Sequence, residues 1–170
     1  MIFACIFAVL ANYSKDKKKN LYLQTIDIIL ACIANIFFFA PSGIINNFTG
    51  AVRNILCYNK KLTLFWKIFI CISSVIVTIV CNKNGFIGFF PMISTIVYTS
   101  FIDCKNIYVF KIILFFANFF WLIFDFSIGS YVAFAFDIAI CTATLISIIR
   151  IYNSNKRKEI NYGTANAECQ

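Results

Sequence analysis

The chain has 170 residues, of which 61% are hydrophobic and 13% charged, with a mean hydropathy of +0.84 and a net charge of +8. Soluble domains carry about one quarter charged residues, and a soluble chain of this length could not hide so much apolar surface, so lipid is the expected solvent. The basic residues sit in short gaps between long apolar runs, a membrane-loop pattern that does not suit nucleic acid.

In chain order, Met1–Tyr13 is apolar but short for a crossing. A signal peptide would need a basic n-region and a small-residue cleavage site, and neither is present. The segment is predicted as a first transmembrane helix that is short, or whose true start lies upstream of Met1. Six longer apolar segments follow: Leu21–Ala40, Gly43–Tyr58, Leu62–Cys81, Gly85–Ile102, Ile107–Phe126 and Ile128–Tyr152. They are continuously apolar and do not alternate, so helices are expected and strands are not. Pro41-Ser42-Gly43, Asn59-Lys60-Lys61, Asn82-Lys83-Asn84-Gly85, Asp103-Cys104-Lys105-Asn106 and Ser127 to Ser130 punctuate them. The tail from Asn153 to Gln170 is polar and predicted to be disordered, with Lys156-Arg157-Lys158 against anionic headgroups.

The lysines and arginines at residues 15–19, 60, 61, 67, 105, 111, 150 and 156–158 fall on one side of this topology, against Lys83 on the other. The positive-inside rule then places the C-terminus in the cytoplasm and the N-terminus outside a bacterial inner membrane. Two internal echoes appear: Lys19-Asn20-Leu21-Tyr22 against Lys105-Asn106-Ile107-Tyr108, and Ala34-Asn35-Ile36-Phe37 against Ala117-Asn118-Phe119-Phe120. The predicted fold is therefore an all-α polytopic membrane bundle of about seven transmembrane helices in a 3+1+3 parallel-repeat arrangement, as in SWEET-type carriers. Repeat one covers about residues 1–58, a linker helix 62–81, repeat two about 85–152, and the tail 153–170.

Asn12 to Asp16, Gly50 to Asn54, Gly88-Phe89-Phe90-Pro91-Met92-Ile93-Ser94-Thr95, the Trp121 helix, Ile128-Gly129-Ser130 and Ser147 to Arg150 together resemble the YgjV family of bacterial inner-membrane proteins. The resemblance runs to about Tyr152, and its most specific pieces are the Pro91 turn with Ser94-Thr95 and Arg53 within an apolar helix. It implies a full first helix, from which Met1–Tyr13 departs, and a topology similar to the MtN3/SWEET and PQ-loop group, although no Pro-Gln pair occurs here.

Polar groups in lipid-spanning segments usually face the bundle interior. Arg53 and Asp137 occupy nearly equivalent positions in the two halves. They are candidates to face one another and bind a polar solute; a permanent ion pair, or an Arg53 that snorkels to headgroups, is the structural alternative. Asn35 and Asn118 form a second candidate pair, as solute contacts or as interhelical glue. Asn47, with Asn46, Thr49 and Asn54, gives one helix a polar stripe, and Trp121 offers a stacking wall or a packing residue. Pro91 is a candidate hinge, with a first-turn position as the alternative. Asp27, counted from Leu21, falls about one and a half turns into its helix and reads as interfacial.

The eight cysteines are scattered, no CxxC occurs and histidine is absent, so no metal or other cofactor is expected. No HExxH, GxSxG or P-loop is present, and an enzyme is not expected. Two readings of function remain. One is a passive or ion-coupled carrier of a small polar solute; the other is a non-catalytic membrane partner, an accessory subunit or an immunity-type protein. An incomplete first half-bundle would favour a homodimer.

Overall fold

The computed structural model describes the backbone of residues 2–37, 41–82 and 85–167, and side chains over 4–33, 46–82 and 85–156. Within those residues there are seven α-helices and no strands: α1 (Ile2–Tyr13), α2 (Lys17–Phe37), α3 (Pro41–Tyr58), α4 (Leu64–Cys81), α5 (Phe90–Phe101), α6 (Ile107–Ser127) and α7 (Tyr131–Ala167). A short 3-10 helix, Gly85–Phe89, leads into α5. Three stretches are long and apolar enough to cross a bilayer: Leu64–Cys81, Ile107–Ser127 and Tyr131–Lys156. Ala4–Tyr13 and Gly85–Phe101 are apolar but shorter.

Local chemistry sets the helix boundaries. α2 starts four residues before the apolar run because Asp16 caps it, its Oδ1 accepting from the Lys18 amide at 3.0 Å. α6 is capped in the same way by Asn106, whose side chain accepts from the Tyr108 amide at 2.9 Å. α6 ends in a Schellman turn. Ser130 N–H donates to the Asp125 carbonyl, Gly129 N–H donates to the Phe126 carbonyl, and Gly129 supplies the required left-handed φ of 74°. That turn delays α7 to Tyr131, three residues later than the apolar pattern suggests.

The expected continuous helix Gly85–Ile102 is interrupted. Its first five residues are 3-10, and Pro91 lies in the first turn of α5. Proline has no N–H to donate, and its ring would collide with the carbonyl four residues upstream in a continuing α-helix. Of the two positions open to Pro91, the structure has the first turn, where the missing donor costs no intrahelical bond.

The helices pack in chain order, α1 on α2, α2 on α3 and so on to α6 on α7, and α7 returns to α1. The result is a closed ring. α4 packs only on its two sequence neighbours among these pairings and turns a wide apolar face outward, including Leu64, Phe65, Ile72, Ile79 and Val80. The buried apolar cluster of Leu21, Tyr98, Ile102, Phe110, Leu114 and Ala117 joins α2, α5 and α6.

Candidate functional site

Polar side chains inside the ring organise two levels along the bundle. The first anchors the end of α1. A helix leaves its last carbonyls without intrahelical donors, and in lipid these need partners. Lys111, fully buried on α6, donates to the Asn12 carbonyl at 2.7 Å and the Ala11 carbonyl at 3.3 Å. Asn20 of α2 also donates to the Ala11 carbonyl. The Asn12 side-chain oxygen accepts from Thr144 of α7 at 3.0 Å and from Asn118 of α6 at 3.4 Å. Four helices thus meet at the end of α1. Lys111, counted above with the basic loop residues, instead works inside the bundle.

The second level is acidic. Counting from the anchor residues, Cys5 precedes Asn12 by seven positions, Asp27 follows Asn20 by seven, and Asp137 precedes Thr144 by seven. Seven residues are two turns, about 10.5 Å of rise, so all three stand at one height on α1, α2 and α7. Asp27 and Asp137 both lie within electrostatic reach of Cys5. Asp125 of α6 comes within hydrogen-bond reach of the Asp137 carboxyl. Asp137 Oδ2 is buried and receives no N–H donor among the described residues.

Arg53 lies between these levels, 7% exposed. Its guanidinium rests 4.4 Å from the Tyr98 ring centre, and its Nε donates to Asn54 Oδ1 at 3.1 Å. Asn54 and the Tyr98 hydroxyl both donate to Gln24 Oε1, at 3.4 and 2.8 Å. These contacts fix the plane of the guanidinium and leave its terminal nitrogens without an acceptor or carboxylate among the described residues. Among those residues the ion pair present is Lys67–Asp103, at 2.8 Å and near the helix ends, so Arg53 and Asp137 are not paired.

A cavity of about 230 Å³ fills the space between the two levels. Every helix except α4 contributes to its wall. Of the sequence candidates, Arg53, Asp137, Asn47, Asn118 and Trp121 line it; Pro91 does not, and the Asn35 side chain lies outside the described residues. Asn46 and Gly50 continue the polar stripe of α3, with a terminal Arg53 nitrogen 3.9 Å from where a Gly50 Cβ would stand. Sequence reasoning missed Asp27, Asn12, Gln24, Tyr98 and Ser94 as wall residues. The Asp16 cap was the available signal for Asp27: a helix beginning at Lys17 makes it the eleventh of 21 residues, in the middle of α2.

A family model, Imp-YgjV, described as a bacterial inner membrane protein, matches residues 1–155. No curated protein matches the chain, and no solved structure does.

Proposed function

We propose that this chain, which belongs to the Imp-YgjV family of bacterial inner membrane proteins, is a carrier that moves a small polar solute through the cavity inside its helix ring. The observation that supports this reading is the wall itself, where a guanidinium, two carboxylates, several amides and hydroxyls from six helices converge on one space. Each such group is expensive in a membrane interior. A protein acting only through its lipid-facing or loop surfaces has no use for that expense. Passive or ion-coupled transport fits the absence of a P-loop from the sequence.

The arrangement follows the 3+1+3 scheme of SWEET-type carriers, with α4 as the linker outside the transport path. Its position beside only α3 and α5, away from the cavity wall, supports this. The N-terminus lies outside and the C-terminus in the cytoplasm, as the lysine and arginine distribution requires.

The test is solute counterflow in proteoliposomes holding the purified chain, screened with radiolabelled neutral sugars, amino acids, amines and organic acids. One class should accumulate above empty liposomes, and Asn118→Ala should lower that accumulation at least several-fold. Retention no higher than in empty liposomes for all four classes would overturn the carrier.

A further inference from the structure

The two signs of charge in the cavity are kept apart. Arg53 is held at the level of Gln24 by the Asn54 and Tyr98 contacts. Asp27 stands three residues beyond Gln24 on the same helix, about 4.5 Å further along the bundle at the helical rise. Asp137 shares the height of Asp27. Neither carboxylate forms an ion pair with Arg53. A buried guanidinium and partly buried carboxylates that face one space without pairing carry a desolvation cost that the ring and amide contacts of Arg53 offset only in part.

Both ends are also unfinished as hydrogen-bonding groups. The terminal nitrogens of Arg53, a side chain more than nine-tenths buried, have no acceptor among the described residues. Asp137 Oδ2 is buried without an N–H donor among them. A planar guanidinium with two free nitrogens matches a carboxylate in bidentate fashion. Carboxylates crowded together, as Asp137 and Asp125 are, oppose one another unless a cation or a proton stands between them. An ammonium has three N–H donors and no acceptor, which suits that end.

We infer that the solute is a small zwitterion of amino-acid size, its carboxylate seated on Arg53 and its ammonium between Asp27 and Asp137. The assignment rests on the carrier reading and adds the substrate class. The cavity volume of about 230 Å³ holds a molecule of a few carbon atoms and excludes a disaccharide. The offset of roughly one helical turn between Arg53 and the carboxylates, added to the width of the cavity between α3 and α7, which are not neighbours in the ring, accommodates an amino acid lying obliquely with a hydrogen bond at each end. Gly50 keeps the wall open beside the guanidinium, because a side chain there would take the space that the carboxylate needs.

The test compares three probes of one size on the purified full chain in nanodiscs: radiolabelled alanine as the zwitterion, alaninamide as the cation and lactate as the anion. Glycine and γ-aminobutyrate extend the zwitterion set. At least one zwitterion should bind with at least tenfold higher affinity than alaninamide and lactate. Asp137→Asn, an isosteric change, should weaken zwitterion binding at least tenfold and leave any residual lactate binding unchanged. Arg53→Gln should do the converse, sparing alaninamide; Arg53→Lys is the second variant should the first fail to fold. Preferential binding of lactate or alaninamide would overturn the zwitterion while the carrier stood. Binding of none of the five would overturn the zwitterion, and counterflow with neutral sugars would then decide the carrier separately.

Discussion

Lys111 shows how much a single side chain can hold together in lipid. Its ammonium donates to two carbonyls at the end of α1, and it is completely buried. Replacing it by methionine keeps the volume but takes the Lys111 donor from the Asn12 carbonyl, while the Ala11 carbonyl keeps Asn20, at a cost of about 2 kcal/mol. Lys111→Met should therefore lower the unfolding temperature in detergent; an unchanged value would contradict the capping role. Asn12 is the same kind of residue with the polarity reversed, accepting from α6 and α7. At roughly 0.6 kcal/mol for each interhelical bond, Asn12→Ala should cost about 1 kcal/mol in the same measurement.

Residues of this type differ in how openly a sequence displays them. Arg53 stands out because a guanidinium in an apolar run has few explanations. Asp137 and Asn118 are visible for the same reason. The partners of Asn12 are not, since Thr144 is 132 positions away and the pairing exists only once α1 and α7 meet. The separation of Arg53 from Asp137 is likewise a matter of register between helices, which repeat matching could not supply.

At the scale of the element, caps decide depth. Three consecutive lysines make the start of α2 look like a loop, and counting from Leu21 puts Asp27 near the interface. Asp16 caps the helix ahead of those lysines, so the same aspartate reaches the middle of the bundle. The opposite displacement occurs at α7, where the turn at Gly129 removes Ile128, Gly129 and Ser130 from the helix. Gly129 carries a positive φ that costs a residue with a Cβ about 1 kcal/mol, so Gly129→Ala should destabilise the α6–α7 hairpin by that amount in a denaturation series. α4 is the most legible helix, since its 18 residues are predominantly apolar and half of them are exposed. A charge on its lipid face, as in Ile72→Arg, should cost about 3 kcal/mol and reduce the membrane-inserted fraction, read by carbonate extraction.

For the whole molecule, composition alone gave the bilayer and hydropathy gave the helix count, because both depend on sums over many residues. The closure of the ring by α7 on α1, and the contacts of its interior, depend on pairings between distant segments and became visible only in the structure. Orientation can be examined without reference to any solute. A fluorescent protein fused to the C-terminus should fluoresce, and alkaline phosphatase fused there should stay inactive; the reverse result would invert the topology.

The most direct test of the central claim, that the ring encloses a hydrated solute site, is the accessibility of the cavity wall. A chain with its eight native cysteines replaced would carry Asn47→Cys, and a membrane-impermeant thiol reagent would be applied to intact and inverted vesicles. A water-filled site predicts labelling from at least one side, slowed by a bound solute, while Ile72→Cys on the lipid face stays unlabelled. An Asn47→Cys thiol as unreactive as that lipid-facing control from both sides would mean a dry interior, and the carrier would be contradicted.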